Sequence, residues 1–254
     1  MAKFVPVSRE KHASKAWRRP NGYSYAATDA VAAIGGSEFS LAAPAMPIAF
    51  VEQEGRYVPV AVMGLKAGVN VFIGPAGQWL GNYIPAVLRT YPFCLVNNPG
   101  AEQATLCVDE ESSLIVDPDQ NTEKFFENDG SPSAASNVIL EFLRRSAHDR
   151  ALADLATASL VEAGVIKPWP LTLPIGNQQI RVEGLHRVDE AALNALGDEA
   201  FCKLRKGSAL VAAHGQMLST GQVSVLARLT GIQQRMADIG QSLGQTLTPP
   251  LSSM

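Results

Sequence analysis

The chain has 254 residues, 46% of them hydrophobic and 18% charged, and 21 Lys and Arg against 24 Asp and Glu leave a formal net charge of -3. Apolar content at this level offsets the entropy of ordering a chain, which excludes disorder throughout. The slightly acidic balance argues against nucleic acid as a partner, and no run approaches the roughly 20 consecutive apolar residues that span a bilayer.

Residues 1–20 are expected to form an N-terminal arm. Lys11, Lys15, Arg18 and Arg19 surround Trp17 there. The set can contact an acidic partner, or form a solvated extension with Trp17 tucked onto the body. No apolar run in this segment fits a secretory leader. The three cysteines, Cys94, Cys107 and Cys202, are odd in number and widely spaced. They make a poor disulfide framework and read as small buried hydrophobes. A cytoplasmic location is expected.

Residues 28–35 offer a brief helical turn ending at a double glycine. Residues 57–62 are rich in strand formers, 65–70 supply a turn, 70–73 resume as a strand, and Pro75-Ala76-Gly77 turns again. A short helix over 83–88 is stopped at Thr90 by the approaching Pro92. Residues 93–96 and 105–109 form a hairpin across Asn97-Asn98-Pro99-Gly100.

The pattern changes after Pro132. From Ser133 to Ala163 there is neither Gly nor Pro. Val138, Ile139, Phe142, Leu143, Leu152, Leu155, Ala156 and Leu160 recur near helical spacing. One long helix, or two broken near His148–Arg150, should end at Gly164. Residues 171–173 and 179–182 form a hairpin. Asp189 caps a helix through Leu196, and Asp198 caps another through Arg205. Residues 208–229 are helical, and 240–254 form a flexible C-terminal tail. The fold class is α+β: a β-rich N-terminal half of short antiparallel strands packed with a mainly helical C-terminal half, as one domain over 21–239.

Several stretches, taken in order, point to one family. They are Tyr57-Val-Pro-Val-Ala-Val-Met-Gly-Leu65, Gly77-Gln-Trp79 with Tyr83-Ile-Pro85, Arg89-Thr-Tyr-Pro-Phe93, Val108-Asp-Glu110, Phe125-Phe-Glu-Asn-Asp-Gly130 and Val188-Asp-Glu-Ala-Ala-Leu-Asn-Ala-Leu196. The series resembles the SapC family of bacterial proteins over residues 5 to 230. The resemblance implies an accessory or binding role, linked by name or genomic setting to surface layers or outer-membrane uptake. It carries no catalytic residues over. Where the family pattern has two arginines before Tyr-Pro-Phe, this chain has Arg89-Thr90.

No GxSxG, P-loop or GxGxxG motif occurs, and His12, His148, His186 and His214 form no HxH or HExxH pair. Neither a cofactor nor a metal is expected. His214, on a helical face with Leu210 and Met217, reads as a core residue. The oxygen-rich loop before the long helix lacks an EF-hand pattern, and Asn128-Asp129-Gly130 reads as a turn. The preferred ligand-binding set is Trp79, Tyr83, Arg89, Tyr91 and Phe93. Tyr and Trp offer apolar area with a polar tip, and Arg offers a fork for carboxylate or phosphate. Such a set suits a protein or small-molecule partner, and a binding role is favoured over catalysis. The alternatives are an enzyme with a pocket assembled from His186, Asp109 and Glu110, and a structural subunit or homo-oligomer.

Overall fold

A five-stranded antiparallel sheet organises the molecule, and it draws strands from both halves of the chain. The computed structural model describes residues 3–97, 104–176 and 178–246. In chain order the strands are β1 (Phe4–Pro6), β2 (Ala16–Trp17), β3 (Val31–Ala33), β4 (Ile48–Gln53), β5 (Arg56–Val62), β6 (Phe93–Val96), β7 (Thr105–Asp109), β8 (Ile115–Val116), β9 (Glu123–Lys124), β10 (Ile166–Pro168), β11 (Leu171–Ile175), β12 (Gln178–Val182) and β13 (Leu185–Val188). The helices are α1 (Arg9–His12), α2 (Phe39–Ala42), α3 (Ala134–Glu162), α4 (Glu190–Asn194), α5 (Asp198–Lys206), α6 (Ala209–Ser219) and α7 (Val223–Thr246).

The large sheet runs β10-β13-β4-β5-β3. Its central hairpin, β4–β5, turns on Glu54-Gly55, both with positive φ (51° and 76°). That turn matches the right-handed twist of its strands. β13 pairs with β4 through Leu185↔Val51 and His186↔Phe50, which brings the second half of the chain into the sheet of the first. α6 then locks the junction. The buried Gln216 side chain accepts from the Val188 N–H at 2.9 Å and donates to the Ile48 carbonyl at 3.2 Å. Ser219 Oγ accepts from the Ile48 N–H at 2.8 Å. Backbone groups that the ladder leaves unpaired are thus satisfied by side chains.

α3 is one unbroken helix of 29 residues through His148–Arg150. Ser133 caps its start by accepting from the Ser136 N–H, and Gly164, at φ 68°, follows its end. Its inward face is small: Ala153, Ala156, Thr157 and Leu160 are buried, whereas Leu152 and Leu155, expected to point inward, are 47% and 66% exposed. The close approach of the Gly35-Gly36 backbone to Asp149 and Ala153 explains this, since a Cβ at Gly35 would clash with the Asp149 carboxylate.

A second, smaller core gathers Trp17, Phe93, Val108, Phe125 and Leu143. It lies under the sheets β1-β7-β6 and β8-β2-β9. Residues 4–17 thus contribute β1, α1 and β2 to the fold where an arm was expected, and Trp17 is tucked onto the body, as one of the two readings had it. Trp17 is 2% exposed and meets Phe93 edge-on at 4.9 Å. The cations beside it are held within the chain: Lys15 by Asp117 at 2.8 Å, Arg18 by Asp119, and Arg19 by Glu123 at 3.5 Å.

Other expectations shift locally. Residues 28–35 hold strand β3, because Val31, Ala32 and Ala33 find partners in Val62, Ala61 and Val60. Residues 70–73 form no strand but hold the Ile73–Trp79 bridge, with the Val71 N–H donating to the Met63 carbonyl. The Asn70 side chain donates to the Ala26 carbonyl and accepts from the Phe72 N–H, which bends the chain there. The helix expected over 83–88 is a 3-10 helix, Ala86–Thr90. The hairpins β6–β7 and β11–β12 are present, though residues 98–103 of the first turn lie outside the described residues. Asp189 caps α4, while Gly197 stands at the cap of α5. α7 continues to Thr246, past the start of the expected tail, of which 247–254 lie outside the described residues.

Truncating Trp17 to Ala removes an aromatic anchor from a small core. It is expected to lower stability by about 3–5 kcal/mol, read as a shift in the urea midpoint. A solvated arm would show no such loss.

Candidate functional site

The site grows from one buried carboxylate. Glu38 closes a 3-10 turn, Gly36–Glu38, directly before α2, and is 4% exposed. Its Oε2 accepts from the Gly35 N–H at 2.8 Å. Its Oε1 accepts from the Tyr83 hydroxyl at 2.6 Å and from the Ala86 N–H at 2.8 Å. A carboxylate out of water needs several strong donors, and these three supply them. The bonds tie the α2 region to the segment that carries Arg89. Asp149 on α3 makes the matching tie, accepting from the Ser37 N–H at 3.0 Å and from its hydroxyl at 2.7 Å.

Between these walls lies a cleft of about 610 Å³. Leu41, Tyr83 and Phe142 supply its apolar surface, and Arg89, Arg144, Arg145 and His148 border it. The Arg89 guanidinium lies over two rings, 5.8 Å from the centre of Tyr83 and 5.3 Å from that of Phe142. No ion pair among the described residues includes it. Arg145 pairs with Glu141 on its own helix at 2.6 Å. The acids on the wall, Glu38 and Asp149, are committed to internal hydrogen bonds, so the cationic groups set the sign of the opening.

Burial is the first cause that pushes the Tyr83 phenol above its ordinary value, and the hydrogen bond to Glu38 is the second. Burial likewise raises Tyr25, helped by the neighbouring Tyr23 and Tyr91.

The five residues singled out in the sequence divide. Tyr83 and Arg89 line the cleft. Trp79 stands behind them: its indole N–H donates to the Tyr83 carbonyl at 2.8 Å and its ring stacks on Phe72 at 5.4 Å. Tyr91 stacks on Tyr25 at 4.1 Å and donates to Asp109 at 3.0 Å. Phe93 is buried in the second core. The neighbouring Thr90 is buried too, its hydroxyl donating to the Val87 carbonyl. Phe142, Arg145 and His148 were missed although their spacing of three places them on one face of α3. The part Glu38 plays in the cleft carries no sequence signal, because two of its three partners lie 45 and 48 residues away.

The alternative catalytic group is dispersed. His186 belongs to β13, with its ring 4.8 Å from Tyr57 and its Nδ1 buried without a partner. Asp109 belongs to β7 in another sheet, where it accepts from the Lys3 N–H and from Tyr91. Glu110 is paired with Lys3 at 3.3 Å and Lys11 at 3.7 Å. Cys94 and Cys107 face each other across β6–β7, and burial holds both thiols above their usual range, Cys94 at about 11. His214, expected in the core, is exposed, with Nδ1 2.7 Å from the Leu210 carbonyl. Among the described residues no cluster of three His, Cys, Asp or Glu is gathered in metal-binding reach, and no helix is long and apolar enough to cross a membrane.

Fold and site together define an α+β protein with a cationic, aromatic-walled cleft between a helix face and a 3-10 segment. The chain belongs to the SapC family, whose model matches residues 7–226. No curated protein and no solved structure matches it.

Two outcomes test this construction. Glu38→Ala would leave buried donors on Tyr83, Ala86 and Gly35 without an acceptor and is expected to cost about 2–4 kcal/mol in chemical denaturation. A phenol raised in the folded state keeps a proton that the unfolded chain gives up near pH 10. The stability conferred by Tyr83 and Tyr25 is therefore intact below about pH 10 and falls as pH rises beyond it. Denaturation midpoints above and below that pH should differ less in Tyr83→Phe than in the parent chain.

Proposed function

We propose that this SapC-family protein is an accessory binding protein, whose cleft takes the anionic group of a protein or small ligand that also carries an aromatic or apolar body. The family resemblance supports a link to the bacterial surface layer or outer-membrane uptake. The unpaired cysteine framework supports action in the cytoplasm. One observation carries the reading: Arg89 lies over Tyr83 and Phe142 at the cleft while the wall carboxylates are engaged elsewhere. Stacking uses the face of a guanidinium and leaves its edge N–H groups for a carboxylate or phosphate. A cleft of about 610 Å³ also falls in the range of small-molecule sites. An enzyme built on His186, Asp109 and Glu110 draws no support from the placement of His186 in one sheet and Asp109 at the end of another.

Titration with benzoate and with phenyl phosphate, followed by calorimetry, tests the reading. Arg89→Gln should weaken binding about tenfold or more, the worth of a charge-assisted hydrogen bond, with an unchanged melting temperature. Equal binding by parent and variant removes the site.

A further inference from the structure

Across α2 from the arginine cleft lies a second concavity. α2 is a single turn, and it forms a ridge: Leu41 lines the cleft, while Ser40, followed by Ala43 and Pro44, borders a groove of about 640 Å³. The far wall of the groove is α6, which presents Val211, His214 and Leu218. The inward face of α6 is occupied by Ala209, Ala212, Ala213 and Gln216, all buried. Gly215 lets the helix press onto α2, since a Cβ there would stand 3.0 Å from the Phe39 side chain. Among the described residues the outward stripe therefore lies open, with Val211 and Leu218 55% and 75% exposed. Leu41 on the ridge is 53% exposed.

The two concavities differ in charge. Among the described residues no Asp, Glu, Lys or Arg lines the groove, whereas the cleft on the other side of the ridge is bordered by Arg89, Arg144, Arg145 and His148. We infer that cleft and groove form one docking surface for an acidic, amphipathic segment of a partner protein. Apolar side chains of that segment fill the groove along α6, and a carboxylate reaches over α2 to Arg89. The inference rests on the anion-binding reading of the cleft and adds the rest of the ligand. Charge complementarity selects this occupant, because a uniformly apolar partner leaves Arg89 unmatched and a uniformly acidic one leaves Val211 and Leu218 in water. Both concavities open to solvent. An open groove along a helix fits a partner helix anchored at successive turns, while a small lipid-like ligand is ordinarily enclosed over most of its surface.

The test uses a fluorescein-labelled synthetic helix of about 16 residues, with Leu at helical spacing on one face and Glu at one end, in anisotropy titrations. Benzoate titrations run in parallel. The variants are Arg89→Gln in the cleft and the double variant Val211→Ser with Leu218→Ser in the groove. The groove positions are exposed, so these substitutions should leave folding intact. The expected result is peptide binding by the parent chain, weakened about tenfold by either change. Benzoate binding should fall only in Arg89→Gln, and a peptide with Lys in place of Glu should not bind. If the groove variant holds the peptide as tightly as the parent while benzoate binding is intact, the docking surface is refuted and the cleft reading stands. If the parent binds neither probe, both fall. A parent dimer in sedimentation that the groove variant dissociates would assign the groove to a second copy and overturn the inference.

Discussion

The Glu38 carboxylate is the point on which the cleft depends. Burying an ionised group is unfavourable unless strong donors surround it, and here three donors come from two segments: the Gly35 N–H from one, the Tyr83 hydroxyl and the Ala86 N–H from the other. The need to satisfy one charge therefore fixes the distance between the turn before α2 and the segment that ends in Arg89. Trp79 reinforces the same segment from behind by bonding to the Tyr83 carbonyl. Asp149 holds the third wall by gripping Ser37. With its acids used as struts, the cleft presents cations.

The scaffold that supports these walls is shared between the halves of the chain. β13 extends the sheet begun by β4 and β5, and Gln216 and Ser219 of α6 complete the hydrogen bonding at that seam. α6 meets α2 closely at Gly215, and α3 meets the preceding turn closely at Gly35. These near approaches turn the exposed faces of α3 and α6 to opposite sides of the α2 ridge. One side carries the arginines and the other carries Val211 and Leu218. The charge contrast across the ridge follows from helix packing and from no local motif.

Local chemistry was legible where a pattern repeats within a few residues. The absence of Gly and Pro from 133 to 163 marks α3, Gly164 marks its end, and the run of strand formers over 57–62 marks β5. The hairpin β6–β7 and the cap at Asp189 were likewise local. Residues 28–35 were misjudged because two glycines resemble a helix stop, whereas the unpaired edge of β5 claims Val31–Ala33 as a strand. His214 was misjudged because helical spacing does not reveal which face of a helix meets the core. Leu152 and Leu155 show the same ambiguity: alanines give α3 its inward face, and the larger side chains are left outside.

Composition and short-range pattern determined the α+β class, the family and the aromatic–arginine character of the segment around Tyr83 and Arg89. Only the tertiary structure decided that Phe93 and Tyr91 belong elsewhere, that Glu38 joins two distant turns, and that α3 supplies the other half of the cleft. The physical reason is range. Helix periodicity, caps and turns act over a few residues, whereas a buried carboxylate and the packing of one helix on another join residues far apart in the chain, so their partners become visible only once the chain is folded.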